Sequence, residues 1–359
     1  MQKTEEAIFM QRCFQLAKLG TGLAAPNPMV GAVLVHEGRI IGEGFHQKCG
    51  GPHAEVNCIE DAAKFHADEI SKATIYVSLE PCAHFGKTPP CADLIIKHQI
   101  ARVVIGCKDS FEKVAGKGIE KLKAAGVAVV SGILEPQAIA LNKAFFTFHQ
   151  KRRPYIMLKW AQTSDGFMAA NQDKRLMISN AFTNRLVHRW RSENSAILVG
   201  ANTVVKDDPR LDNRFWYGVA PQKIVLDPNL KLNTQAQLFQ QNDKVLVFNT
   251  VREEEVGNIS YIRLSEKDII QKMMDRLHQL QIQSVFVEGG ARLLQSFVDA
   301  GIWDEARIIT NKELLIQEGL PAPLLQNHEE LSAINIDSDE IKIYKNRNNQ
   351  FFHAASGLF

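Results

Sequence analysis

A histidine, a glutamate and two cysteines carry the chemistry most directly readable in this chain. His53 and Glu55 lie in His53-Ala54-Glu55. Cys82 and Cys91 bound the run Pro81-Cys82-Ala83-His84-Phe85-Gly86-Lys87-Thr88-Pro89-Pro90-Cys91. Imidazole and thiolates are good zinc ligands, and three protein ligands leave a fourth position for water. A bound zinc ion lowers the pKa of that water from about 15.7 to about 7. A carboxylate two residues from the histidine is placed to carry protons between water and a leaving group. The alternative is a closed structural site, which wants a fourth protein ligand, with Cys49 and His84 as the candidates.

The elements around these residues must bring them together. Gly50-Gly51-Pro52 puts His53 at the head of a helix carrying Val56, Ile59 and Ala63. Pro89-Pro90 before Cys91 and Leu94-Ile95-Ile96 after it predict a second helix start. Two helix N-termini would then meet at one metal. Ala73 to Leu79 reads as a buried strand that delivers Glu80-Pro81-Cys82 at its C-terminal end, where ligands of open α/β sheets sit. The His-x-Glu, Pro-Cys and second Cys match the layout of zinc deaminases, in which the glutamate is not a ligand. One departure is the spacing, since eight residues separate Cys82 from Cys91 where two are usual.

Composition bounds the function. The chain has 359 residues, 45% apolar and 23% charged, enough for two domains with real cores. A formal net charge of +2 gives no electrostatic footprint for long nucleic acids, while small anionic ligands remain possible. The cysteines (Cys13, Cys49, Cys58, Cys82, Cys91, Cys107) are confined to the first part of the chain, unlike a secreted disulfide scaffold. The polar start Met1-Gln2-Lys3-Thr4-Glu5-Glu6 is not a signal peptide, and no apolar run reaches about 18 residues. A cytoplasmic protein without a membrane partner is expected.

Before the histidine, Phe9, Cys13, Leu16, Ala17 and Leu19 recur at helical spacing, and Val30–His36 and Arg39–His46 form a hairpin around Glu37-Gly38. Asn27, in a Pro-rich turn, is either a turn residue or a base-edge partner. His84, Lys87 and Thr88 are either a solvated loop or donors to a phosphate-bearing substrate. Further strands at Arg102–Cys107 and Val127–Ser131, with a helix over Lys117–Ala125, suggest a three-layer α/β sandwich on a mixed sheet.

Lys151-Arg152-Arg153-Pro154 interrupts the pattern, so the domains are set at 1–150 and 151–359. The second half alternates strands (155–161, 195–200, 223–226, 244–248, 284–287, 306–310, 351–354) with helices (180–190, 268–280, 291–300). Strand, Glu288-Gly289-Gly290, helix is either a tight turn or an anion cradle. Arg191 and Arg214 are either exposed arginines or anchors for phosphate or sugar.

The deaminase stretch, taken with Gln162-Thr163-Ser164-Asp165-Gly166, Val199-Gly200-Ala201-Asn202-Thr203, Asp207-Asp208-Pro209-Arg210-Leu211 and Val287-Glu288-Gly289-Gly290, resembles the bifunctional riboflavin-biosynthesis deaminase–reductases across nearly the whole chain. The long Pro-Cys-x-His-x-Gly-x-Thr-Pro-Pro-Cys loop of that family accounts for the cysteine spacing. The resemblance implies an α/β chain of two domains, a cytidine-deaminase-like three-layer α/β/α sandwich followed by a dihydrofolate-reductase-like α/β domain. It implies zinc on His53, Cys82 and Cys91 with Glu55 as proton shuttle, and deaminase substrate contacts at Asn27, His46, His84, Lys87 and Thr88, with Asp109 less firmly placed. It implies NADPH contacts at Ala161, Thr203, Asp207, Gly290, Ala291, Arg292, Leu293, Leu294, Gln295 and Ser296. Reductase substrate contacts fall on Lys159, Arg191, Leu211, Arg214 and Glu288. The implied substrate is a small pyrimidine nucleotide, deaminated at ring position 2 and then reduced from ribosyl to ribityl, in a homo-oligomer that binds no nucleic acid. Arg175 and Met177 stand where many members carry a substrate serine and a cofactor-facing tryptophan.

Two other readings compete, and a third, partial one is a working deaminase fused to a weakened reductase, given Arg175 and Met177. A deaminase of an RNA base is disfavoured by the charge and by a second domain without aromatic–basic interleaving. A non-catalytic zinc module tethered to a nucleotide sensor has no use for Glu55.

Overall fold

A computed structural model describes residues 2–85, 89–110, 116–171 and 176–349. The chain divides into two compact units, one running through Lys151 and the other beginning at Arg152.

The first unit runs α1 (Gln2–Lys18), β1 (Gly31–His36), β2 (Arg39–Phe45), α2 (Ala54–Ala63), β3 (Thr74–Leu79), α3 (Cys91–Lys97), β4 (Arg102–Cys107), α4 (Lys117–Ala124), β5 (Ala128–Ser131), α5 (Glu135–Leu141) and α6 (Lys143–Lys151). Its sheet has the order β2-β1-β3-β4-β5. The β2–β1 and β1–β3 pairs are antiparallel, and β3–β4 and β4–β5 are parallel. Strand side chains alternate between faces, and here both faces are apolar. Ala32, Leu34, Ile75, Val77, Val103 and Ile105 pack with Ala54, Ile59, Ala92, Ile95, Ile119 and Leu122 of α2, α3 and α4. Val33, Val35, Tyr76 and Val104 pack with Phe9, Met10, Cys13, Ala138 and Phe146 of α1, α5 and α6. This is the expected three-layer sandwich on a mixed sheet. The parallel half aligns the C-terminal ends of β3 and β4, with Leu79 opposite Cys107.

The second unit runs β6 (Tyr155–Thr163), β7 (Phe167–Ala170), α7 (Ala181–Ser192), β8 (Ala196–Gly200), α8 (Ala201–Asp207), β9 (Gln222–Leu226), β10 (Val245–Asn249), β11 (Glu254–Val256), β12 (Ile259–Arg263), α9 (Ile269–Gln279), β13 (Ser284–Glu288), α10 (Ala291–Asp299), β14 (Glu305–Asn311), β15 (Gly319–Pro321), β16 (His328–Ile336) and β17 (Asp339–Asn346). Ten strands form one sheet, β11-β12-β10-β9-β8-β13-β6-β14-β17-β16, and β15 pairs with β7 separately. The strands from β12 to β14 are parallel to their neighbours, and antiparallel strands lie at both edges. Met273, Met274 and Leu277 of α9 and Leu293, Leu294 and Phe297 of α10 bury one face of it. Asn180 caps α7, its Oδ1 accepting from the N–H of Thr183 at 2.9 Å. The strand expected over 351–354 lies outside the described residues. The hairpin of β16 and β17 completes the sheet beyond β14 instead.

Candidate active sites

His53 is the N-cap of α2, and Cys91 opens α3 behind Pro90. Cys82 lies just past the end of β3. These three converge, with their ligand atoms all within 4.8 Å of one another. His53 Nδ1 is 3.2 Å from Cys91 Sγ and 3.6 Å from Cys82 Sγ. A tetrahedral zinc ion with ordinary bond lengths wants about 3.5 Å between a nitrogen and a sulfur ligand, so the set fits the metal. The Cys91 N–H donates to Cys82 Sγ at 3.3 Å, which ties the two ends of the long loop together. Hydrogen bonds from Cys91 and His53 hold the Cys82 thiol well below the usual thiol range, while the same pairing and burial push Cys91 up. Among the described residues this cluster contains no fourth side chain, and Cys49 is exposed outside it.

Glu55, in the first turn of α2, is buried, and its carboxyl hydrogen-bonds the Cys91 thiol. Burial, helped by the charge of Cys82, pushes it up to about 7. His46 is buried with its ring edge-on to His53, centroids 5.4 Å apart. Its Nδ1 faces the Pro52 carbonyl at 2.9 Å, so the proton sits there. Its Nε2, 3.0 Å from Asn27 Nδ2, must then accept from the amide. Burial lowers its pKa, which keeps it neutral. Asn142 holds the Asn27 loop by accepting from the N–H of Met29 and donating to its carbonyl, both at 2.8 Å. Asn27 and His46 therefore line the wall beside the metal ligands. His84 is exposed, Asp109 begins the connection after β4, and Lys87 and Thr88 lie outside the described residues.

In the second unit, register places Lys159 of β6 directly beside Glu288 of β13. The Lys159 ammonium is 3.1 Å from Glu288 Oε1, and Arg191 of α7 reaches Oε2. Burial alone would raise Glu288, but the charges of Arg191 and Lys159 outweigh it and hold the carboxyl at about 2. Arg191 Nη1 also donates to the Asp212 carbonyl at 3.0 Å, and the Asp212 carboxylate pairs with Arg214. Lys159, Glu288, Arg191 and Arg214 thus form one connected set, reached through the segment in which Leu211 is buried.

Gly289 and Gly290 both have positive φ, 87° and 80°, and a Cβ on them would meet the Thr203 side chain of α8 at 3.1 and 3.0 Å. The turn between β13 and α10 therefore packs closely on Thr203, and the first-turn N–H groups of α10 have no partner inside the helix, an arrangement that suits an anion. Ala291 and Arg292 open that helix. Leu293 and Leu294 send their side chains into the core, Gln295 Oε1 accepts from the N–H of Leu324, and the Ser296 hydroxyl donates to the Leu293 carbonyl. These four can meet a cofactor only through the backbone or after giving up a bond. Ala161 lies on β6, and Asp207 ends α8. Met177 is exposed, and Arg175 lies outside the described residues.

His188 was not singled out from sequence. It is buried, with Nε2 3.4 Å from Arg191 Nη1, and burial together with the nearby arginines lowers it to about 4. The signal available was its place one helical turn before Arg191.

Residues 3–107 match the family model described as the cytidine and deoxycytidylate deaminase zinc-binding region, and residues 154–315 match the RibD C-terminal domain. The riboflavin biosynthesis protein RibD of Aquifex aeolicus is 39% identical over 322 residues, 87% of this chain and 88% of that protein. Its counterpart in Actinobacillus pleuropneumoniae is 38% identical over 82% of this chain and 80% of that protein. The crystal structure of a diaminohydroxyphosphoribosylaminopyrimidine deaminase/5-amino-6-(5-phosphoribosylamino)uracil reductase from Thermotoga maritima superposes with a TM-score of 0.89 at 36% identity, over 96% of this chain and all of that one. Acinetobacter baumannii RibD gives 0.88 at 32% identity, over 96% of this chain and 99% of that one. The chain belongs to the RibD family of riboflavin biosynthesis, as a bifunctional enzyme in which a zinc-dependent deaminase domain precedes an NADPH-dependent reductase domain.

Proposed function

We propose that residues 1–150 hydrolyse the ring amine of 2,5-diamino-6-(ribosylamino)-4(3H)-pyrimidinone 5′-phosphate, and that residues 151–359 reduce the ribosyl side chain of the product to ribityl. The observation that carries the first half is the convergence of His53, Cys82 and Cys91 on one point, with the buried carboxyl of Glu55 beside it. His53, Cys82 and Cys91 would hold zinc, which when bound would supply a water of lowered pKa. Glu55 takes a proton from the attacking water and passes it to the departing nitrogen. Water adds its oxygen to the ring carbon, the C–N bond breaks, and ammonia leaves. Asn27, held through His46, offers its amide to the ring edge, and its site on the wall beside His53 suits that role. His84, Lys87 and Thr88 complete the substrate set on the strength of the family pattern.

In the second domain NADPH supplies the hydride. The Gly289–Gly290 turn, Thr203 and the start of α10 would receive its phosphates, with Ala161 and Asp207 added from the family pattern. Glu288 fixes Lys159 and Arg191 in place. With Leu211 and Arg214 they orient the sugar phosphate, for which a guanidinium is well shaped. The cytoplasm is the compartment that suits six free thiols. We assign a homo-oligomer from the family pattern, to be checked by light scattering.

The decisive experiment incubates purified protein with the pyrimidine, with and without NADPH, and follows ammonia and nicotinamide absorbance. Ammonia in both arms and NADPH oxidation in the second are expected. NADPH oxidation without ammonia would overturn the order of the two reactions, and silence in both arms would overturn the substrate.

A further inference from the structure

Glu80 immediately precedes Pro81-Cys82, is 4% exposed, and is not among the clustered metal ligands. Four backbone N–H groups converge on its carboxylate. Oε2 accepts from Asp109 at 3.2 Å and from Gly116 at 3.0 Å, and Oε1 accepts from Gly118 at 3.0 Å and Ile119 at 3.2 Å. Gly116 is the N-cap of α4, and Gly118 and Ile119 lie in its first turn, where N–H groups have no partner inside the helix. The end of β3 therefore caps α4 from across the sheet. The approach is close, because a Cβ on Gly118 would stand 2.0 Å from the Pro81 carbonyl oxygen. The Glu80 N–H itself donates to the Cys107 carbonyl at 3.0 Å, so strand β4 is clamped at the same point.

An ionised carboxylate offers acceptors on both oxygens, whereas an amide would turn an NH2 group toward two of these donors. Burying a charge is costly unless hydrogen bonds compensate it, and here four of them hold both ends of the β4–α4 connection against the strand that delivers Cys82. Asp109 opens that connection, at the same C-terminal edge of the sheet as Cys82. We propose that Glu80 is a positioning residue of the deaminase site, fixing the start of the β4–α4 connection at the sheet edge that also carries Cys82. This inference rests on the deaminase reading above.

The test uses full-length, zinc-loaded Glu80→Gln, with zinc per chain, ammonia release and reduction of the already deaminated substrate measured on the same sample. Reduction reports on the second domain and controls for protein quality. KM for the pyrimidine in ammonia release is expected to rise about tenfold or more, with kcat moving less than about threefold. Zinc content and reduction are expected to stay unchanged. Gly118→Ala, which leaves the carboxylate in place but forces α4 away from Pro81, is expected to raise KM in the same way, and it decides the matter if Glu80→Gln does not fold. Unchanged KM in both variants overturns the proposal, as does a fall in kcat that tracks zinc loss at constant KM. Wild-type protein that releases no ammonia overturns the deaminase reading itself, before any variant is compared.

Discussion

Arg191 closes on Glu288 with Nε 2.9 Å and Nη2 2.8 Å from the same carboxylate oxygen, while Lys159 occupies the other. Arg191 also spends Nη1 on the Asp212 carbonyl. Removing it leaves the buried carboxylate to Lys159 alone, a loss of about 1.5–3 kcal/mol. All four tryptophans lie beyond residue 151, so their fluorescence reports on this domain alone. Arg191→Ala should lower its denaturation midpoint, raise KM for the pyrimidine more than KM for NADPH, and leave ammonia release intact. Equal changes in both KM values would count against a substrate role.

The same pair makes the reductase domain acid-sensitive. Glu288 is held at about 2 against an ordinary 4.5. A depressed folded-state value means that the stabilisation is complete above the unfolded value of 4.5 and is lost as pH falls toward 2. The amount at stake is on the order of 3 kcal/mol. Urea midpoints by tryptophan fluorescence should fall over that window. Glu288→Gln, less stable at neutral pH, should show a flatter profile there.

In the proposed mechanism Glu55 handles protons, and it is not among the clustered ligands. Glu55→Gln should therefore retain zinc and lose ammonia release by at least about a hundredfold, while reduction of the deaminated compound continues. Normal ammonia turnover in this variant would remove Glu55 from the mechanism.

Zinc removal separates the two activities. Dialysis against a strong chelator should abolish ammonia release and spare NADPH oxidation with the deaminated substrate, and zinc should restore the first. An ammonia rate that survives complete metal loss would refute the metal assignment.

Gly290 has φ 80°, and a Cβ there would stand 3.0 Å from Thr203 Oγ1, tighter than an ordinary contact. Gly290→Val strains the backbone and pushes against Thr203 in the turn proposed to receive the cofactor. Its KM for NADPH should rise about tenfold or more with ammonia release unchanged. Titration of NADPH fluorescence checks this without relying on turnover.

The elements carrying the first site were legible from local signals. Prolines before Cys91, glycines before His53 and an apolar strand before Cys82 specify helix starts and a strand end, which depend on nearby residues. The strands at 102–107 and 284–287 were equally clear, because strands covered on both faces read as continuous apolar runs. The hairpin of β16 and β17 was missed. Its alternation of Ile341 and Ile343 with polar residues marks a half-buried pair at a sheet edge, a weaker signal than a buried run. The side chains of Leu293 and Leu294 turn inward because α10 must bury one face on the sheet, and a motif match does not distinguish a backbone donor from a core residue.

Residue types and their order thus determined the family, the helix starts and the three donors that cluster. Tertiary structure alone decided that Lys159 and Arg191 share one carboxylate, that His188 backs Arg191, that His46 presents an acceptor to Asn27, and that four distant N–H groups meet on Glu80. Each of these depends on strand register or on helix packing between segments far apart in sequence, and short-range spacing carries no information about either.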